Sequence, residues 1–336
     1  MKKLTELLAC EKCNAPLSFI DNKVICNKCG CVTNVNNNIP RFVSEEYHSN
    51  FGYQWNIFSK IQLDSFNGSK ESETRLLSQS GLKPQFFKDK VVLEIGSGNG
   101  RFTEVLLKYG AKVVSVDYTT AIDANYANNH DTGESLFLQA DLFKLLVKKN
   151  AFDIVICYGV IQHTGNNKKA LESLIAYPKE NNGYLLVDIY SSSLRHYNPW
   201  IYIIRPIFSL FKMSNENRLK VVSKFVDMVF PVQLAVLKIL HNKGGMLKYL
   251  RYFINRSPNS VYPINLFLDG KIDKNVAKSW SILDTFDGWA PKHDHPVNRK
   301  EWLKMINSIS SKTNCSISSV DESGQGYTAV LNRNTL

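Results

Sequence analysis

A chain of 336 residues that is 44% apolar and 21% charged can bury an ordinary globular core, which excludes a disordered or collagen-like polypeptide. Its formal net charge of +11 points to an anionic partner: a nucleic acid, a phosphate-bearing substrate or an acidic membrane surface. No run of about 18 apolar residues occurs, and the basic residues 1–3 are followed by an apolar stretch that Glu6 interrupts, so neither a spanning helix nor an export signal is expected. The chain is therefore expected to be cytoplasmic.

Residues 1–43 read as a first unit. Of the seven cysteines, five lie between Cys10 and Cys31. Cys10-x-x-Cys13 and Cys26-x-x-Cys29 on short hairpins can bring four thiolates tetrahedrally onto Zn²⁺. In a long chain without an export signal, such clustering suggests metal rather than disulfides. Four sulfur ligands leave no open position, so the zinc is expected to be structural, with Cys31 a bystander. Residues 16–20 and 23–25 read as small strands. So short a unit lacks a core, and metal binding is expected to supply its folding energy. Residues 8–43, ending in Asn38-Ile39-Pro40-Arg41-Phe42-Val43, resemble the zinc-ribbon domain related to the activator subunit of tRNA methyltransferases. That ribbon is often fused before a class I methyltransferase domain in bacteria.

Residues 44–90 read as an aromatic and helical linker. Phe51-Gly52-Tyr53-Gln54-Trp55-Asn56 is similar to a Phe-Gly-x-Gln-Trp stretch that precedes the core of ribbon-bearing methyltransferases. It is expected to help close a cofactor pocket or to pack two domains together. Residues 71–77 read as a helix, which Gly81-Leu82-Lys83-Pro84 ends.

The chain is organised around Val91-Val92-Leu93-Glu94-Ile95-Gly96-Ser97-Gly98-Asn99-Gly100. Its apolar, β-branched start reads as a buried parallel strand. A glycine turn and a helix over 101–107 follow, placing backbone N–H groups and a positive helix end beside a nucleotide-like ligand. A dinucleotide fingerprint needs its third glycine where Arg101 stands, so an oxidoreductase is excluded. Strand and helix then alternate to residue 190, the pattern of a parallel sheet covered on both faces. Strands are expected at 112–117, 135–138, 152–157 and 183–189, with a helix near 168–177. Asp117 ends the second strand, 21 residues after Gly96, where a carboxylate can accept both ribose hydroxyls. Asp141 follows the third strand and could take an adenine amino group. Each acid also has a plainer reading, Asp117 as a turn residue or cap and Asp141 as an N-cap.

Glu94-x-Gly96-x-Gly98-x-Gly100 together with Asp117 and Asp141 resembles the class I S-adenosylmethionine (SAM)-dependent methyltransferases of the type 11/12 kind over residues 91–190. The resemblance implies an α/β fold with a Rossmann-like seven-stranded sheet and SAM as cofactor. It implies that Glu94 supports the methionine end, with the backbone of Gly96, Ser97, Gly98 and Gly100 beneath it. Asp117 and Tyr118 would bind ribose, Asp141 and Leu142 adenine, and Tyr158 and Gly159 would lie near the reacting methyl. His163 is the candidate base, in a segment similar to the Gly-Val-x-His-His stretch of many small-molecule methyltransferases, with Gln162 replacing the first histidine. A hydrogen-bonded structural histidine is the alternative.

Residues 191–290 read as a helical, basic insertion between the fifth and sixth strands. Between 191 and 260 there are eleven bases and two acids, a net +9. Apolar stretches alternate with these bases, which suits a membrane-interface helix or a cap over the active site. A substrate-shaping cap is the expectation. Asp284-Thr285-Phe286-Asp287-Gly288-Trp289-Ala290-Pro291-Lys292-His293-Asp294-His295 reads as a polar loop before a helix at 296–309. It is similar to a Phe-Asp…Pro-Lys-x-Asp-His-Pro stretch of ribbon-bearing methyltransferases, which makes it a candidate wall of the acceptor pocket. His293 is the second candidate base, and the His-Asp-His trio could also bind a metal. Residues 291–336 would close the sheet with a strand pair. The expected function is methyl transfer from SAM to a small-molecule, glycan or lipid-intermediate acceptor, as O-methylation, with contact to an anionic membrane surface as a further expectation. The competing readings are an RNA methyltransferase and a non-enzymatic SAM-fold partner.

Overall fold

A computed structural model describes the chain except residues 1–3, 44–48, 194–197, 242, 246, 292, 314, 324–325 and 334–336. Arg195 and Lys292, counted in the readings above, and the basic residues 1–3 lie outside the described residues. At the N-terminus β1 (Leu17–Ile20), β2 (Lys23–Cys26), β3 (Val32–Asn36) and β4 (Ile39–Pro40) pair in that order as an antiparallel sheet. This sheet hides few side chains of its own and leans on its neighbour. Leu4 and Leu8 join the main hydrophobic cluster, and Ile39 packs with Ile122 and Phe137. Arg41 bridges to the Gln139 backbone and ion-pairs with Asp123 at 2.5 Å. Metal is therefore not the only expected source of folding energy here, since this unit also draws on the large core.

Residues 49–80 are helical: α1 (Ser49–Ile57), α2 (Asp64–Asn67) and α3 (Glu71–Ser80). α3 stops at Gly81, whose φ of 66° forms a left-handed cap. Then come β5 (Val91–Ile95), α4 (Arg101–Lys108), β6 (Lys112–Asp117), α5 (Ala121–Asn129), β7 (Ser135–Gln139), β8 (Ile154–Cys157), α6 (Asn167–Leu174) and β9 (Gly183–Tyr190). Alternate residues serve opposite layers: Leu93 and Ile95 face one apolar cluster, Val92 the other. After β9 the chain leaves the sheet for α7 (Pro199–Leu210), α8 (Asn215–Leu240), α9 (Leu247–Ile254), α10 (Tyr262–Leu268) and α11 (Lys274–Trp289). These helices build a separate core that includes Phe230, Trp280, Phe286 and Trp289. α12 (Arg299–Thr313), β10 (Cys315–Ser323) and β11 (Gly326–Arg333) return to the sheet.

The sheet has seven strands in the order β10-β11-β9-β8-β5-β6-β7. β5 to β9 are parallel, and β11 runs antiparallel between β9 and β10. This is the fold the sequence resemblance implied. The chain winds outward from β5 to β7 and then returns to β8 on the other side of β5. The strand order thus switches direction between β5 and β8, where open α/β sheets leave a crevice at their carboxyl ends.

Beneath that crevice lies a knot of polar side chains. Glu94 accepts hydrogen bonds from the Thr103 hydroxyl and, at 3.0 Å, from Ser115. The Asn125 amide donates to both hydroxyls, and Asn129 donates to the Gly100 carbonyl at 3.1 Å. All five side chains are buried. Burial pushes the Glu94 carboxyl up to about 7, against the pull of the two hydroxyls. The folded chain thus holds a proton that the unfolded chain releases. This contribution to stability is whole below about pH 4.5 and is lost as pH rises through about 7. Glu94→Gln should flatten the stability profile across that window by roughly 3 kcal/mol, read from urea midpoints of both proteins. Parallel profiles would remove Glu94 as the source.

Candidate active site and metal centre

The turn after β5 is tied to the neighbouring strand β6. Gly96 and Ser97 both donate their N–H to the Val116 carbonyl. Gly96 has a φ of 71°, and a Cβ there would lie 2.1 Å from the Val160 side chain. Gly100 has a φ of 88°, and a Cβ there would lie 2.1 Å from the Asn125 amide oxygen. Only glycine meets both constraints at either position. α4 then starts at Arg101, and no side chain caps its first turn.

A cavity of about 1420 Å³ occupies this edge and runs on beneath the cap helices. Gly96, Ser97 and Gly98 line it from β5, and Asp117 and Tyr118 from β6. Asp141 and Leu142 line it after β7, and Tyr158 and Gly159 after β8. Glu94 and Gly100 do not. They lie below the turn, in the buried knot, and could act on a ligand only through the turn's shape. The Asp117 carboxylate accepts from Gly98 N at 2.9 Å and from the Thr119 backbone and hydroxyl at 2.9 and 2.8 Å. It ties the first turn to the second. Asp141 caps a short 3₁₀ turn by accepting from Phe143 N at 2.9 Å, which is the plainer role foreseen for it. The Ser97 and Tyr158 hydroxyls are buried without a hydrogen-bond partner. Orphaned donors above a glycine cradle fit a cofactor with amino, carboxylate and hydroxyl groups.

Two arginines join this wall that sequence reading did not single out. Arg75 of α3 ion-pairs with Asp188 at the end of β9 at 2.6 Å, and Asp188 also accepts from Gly159 N. Arg101 donates to Ser72 and Gln62, and burial beside Arg75 pushes its guanidinium down to about 10. Positions 113 residues apart, Arg75 and Asp188, carry no local signal of pairing.

Deeper under the cap, His163 Nδ1 lies 2.9 Å from the His293 carbonyl. A carbonyl only accepts, so Nδ1 carries a proton, which leaves Nε2 as the nitrogen able to accept one. Phe51 and Tyr190 pack against the ring at 5.1 and 5.8 Å between centroids. His293 itself is half-buried, lines the cavity and stacks on His295. Asp294 pairs with Arg205 of α7 at 2.7 Å, and Arg205 also donates to the Gly288 carbonyl at the end of α11. Asp284 and Asp287, read from sequence as part of a loop, occupy one face of the last turns of α11. Helix persists there because Trp280, Leu283 and Phe286 recur at three-residue spacing into the cap core. The following helix correspondingly begins later than expected, at Arg299. Burial pushes Asp284 up to about 7, with Asp287 beside it, although Ser260 and Trp280 donate to it. Asp287, also raised by burial, accepts from Gln54 of α1 at 2.7 Å. The same helix sets Trp55 against Gly98.

In the N-terminal sheet, Cys10, Cys13, Cys26 and Cys29 bring their sulfurs within 4.8 Å of one another. A tetrahedral Zn²⁺ would need about 3.8 Å between thiolates, and the Cys10–Cys29 and Cys13–Cys26 separations are 3.6 and 3.3 Å. Lys28 and Cys29 N–H groups point at the Cys26 sulfur and pull that thiol down to about 6. The donor set therefore fits zinc. Among the described residues no other group of three ligating side chains converges, so the His-Asp-His trio does not form a metal site there.

Comparison with known proteins agrees with this geometry. A family profile described as a methyltransferase domain matches residues 93–186. A ubiquinone biosynthesis O-methyltransferase of Coxiella burnetii is 29% identical over 120 residues, 35% of this chain and 49% of that protein. Phosphoethanolamine N-methyltransferase 1 of Zea mays is 29% identical over 130 residues, 37% of this chain and 25% of that protein. The chain thus spans about half the length, or less, of these curated relatives. The solved magnesium protoporphyrin IX methyltransferase of Synechocystis PCC 6803, with bound SAH, overlays 84% of this chain and 82% of its own at 13% identity and a TM-score of 0.38. Residues 93–186 of the chain thus carry a methyltransferase domain.

Proposed function

We propose that the protein moves a methyl group from SAM to a hydroxyl of a small, glycan-like or lipid-linked acceptor. The observation that carries this reading is the single cavity that runs from the glycine turn to His163 and the carboxylates of α11. In this reading Asp117 and Tyr118 hold ribose, Asp141 and Leu142 adenine, and the Gly96–Gly98 backbone with Ser97 and Tyr158 the methionine end. SAM supplies an activated sulfonium methyl, so the chain has to align the acceptor and exclude water. His163 Nε2 takes the acceptor's proton as the new O–CH₃ bond forms and the S–CH₃ bond breaks. Asp294, whose Oδ1 lies 3.9 Å from His163 Nδ1, steadies the resulting imidazolium. Asp284 and Asp287 can also accept hydrogen bonds from acceptor hydroxyls, which favours a polyhydroxylated group. The four cysteines would hold one structural Zn²⁺.

The test of the function is transfer of labelled methyl from SAM into host extract, with polar, lipid, RNA and protein fractions counted apart. Label in the polar or lipid fraction is expected, and label in RNA would overturn the acceptor class. His163→Gln, which can still donate to the His293 carbonyl, should cut turnover about 10²- to 10⁴-fold with SAM affinity unchanged. Full turnover would remove the base. Asp117→Ala should weaken SAM binding about 10- to 100-fold, the loss of one charge-assisted pair, by calorimetry. Elemental analysis should find about one zinc per chain, and Cys26→Ser should lower it. A metal-free folded protein would remove the ribbon assignment.

A further inference from the structure

The outer surface of the cap does not hide its large apolar side chains. No residue of α9 is fully buried. Its Leu247, Tyr249, Leu250, Tyr252 and Phe253 are between 43% and 70% exposed. On α7, Ile203, Ile207 and Leu210 recur at four- and three-residue spacing along one face, and Phe211 follows, all 48–79% exposed. Scattered singly such side chains need no explanation, but here they gather on two cap helices that both line the cavity. Those two helices flank the mouth of the cavity. Ile201 and Tyr202 of α7 and Tyr252 of α9 line it, and Tyr252 is also half exposed.

Charge says what could cover this face. α7 and α9 contain no acid. Lys212, Lys243 and Lys248 stand exposed on or beside them, and the Arg256 guanidinium lies 3.8 Å over the Tyr252 ring. Among the described residues of 198–260 the acids are Glu216 and Asp227, both on α8 and both paired with lysines. A second copy of the chain would set these bases against bases. An anionic bilayer instead accepts aliphatic side chains below its headgroups, aromatic rings at their level and lysines on its phosphates. No helix among the described residues is long and apolar enough to cross a membrane, so the contact is one of lying on the surface.

We propose that the outer face of α7 and α9 docks on an anionic lipid surface and that the acceptor enters the cavity between these helices from that surface. The second half rests on the methyltransferase reading, whereas the docking does not. The test is flotation of the full chain with phosphatidylcholine vesicles and with vesicles that also contain phosphatidylglycerol. Wild type should float with the phosphatidylglycerol vesicles alone and be released by salt. Leu210→Glu combined with Phe253→Glu should lower the bound fraction at least about tenfold, with SAM affinity unchanged on the same preparation. Three results would overturn the docking: no flotation, equal flotation with neutral vesicles, or a dimer in light scattering that the double variant dissolves. Label from SAM recovered in the lipid extract would support entry from the surface, and label confined to water-soluble acceptors would overturn it. Flotation without SAM binding would sink the methyltransferase reading and leave the docking standing.

Discussion

The site depends on a small set of buried hydrogen bonds. Glu94, through one carboxyl oxygen, Thr103, Ser115, Asn125 and Asn129 bond one another beneath the glycine turn, all of them buried. An unpaired polar group in such a place costs about 1–3 kcal/mol, so each member holds the others in a fixed geometry. The result is a β5–α4 corner that cannot drift. Asp117 can then reach Gly98, and the first residues of α4, Arg101 and Phe102, line the cavity. The motif's glycines shape the surface of the site, while its acid and the residues that meet it form the foundation.

The small N-terminal sheet illustrates a second constraint. With few buried side chains, it has two ways to become stable: a metal and a neighbour. The structure offers both, four converging sulfurs and the seat of Leu4, Leu8 and Ile39 in larger clusters. Arg41 adds a two-point clamp on Asp123 and Gln139. Any change of metal content would thus be felt at the β7 edge, next to Asp141.

What was legible in the sequence was local. The glycine turn, the acids that end β6 and follow β7, the cysteine spacing and the alternation of strand and helix each depend on neighbours a few residues away. The seven-stranded sheet followed from the resemblance that those features carried. What was not legible was the pairing of distant residues. Nothing near Arg75 announces Asp188, and nothing near Gln54 announces Asp287. The stretch 284–295 misled because Asp, Gly, Pro and His suggest a loop. Its first half is helix because the apolar residues of α11 keep their period into the cap core, and packing outweighs local propensity.

α1 touches both halves of the cavity. Trp55 packs on Gly98, Phe51 on His163, and Gln54 holds Asp287. Asn56 anchors the helix by donating to the Gly52 and Thr120 carbonyls. Changes in α1 therefore act on both half-sites at once. On the proposed reading, descendants of this chain could not alter acceptor preference through α1 without altering the cofactor's seat. The freedom to diversify lies in α7 and α9, which touch the mouth and leave the glycine turn alone.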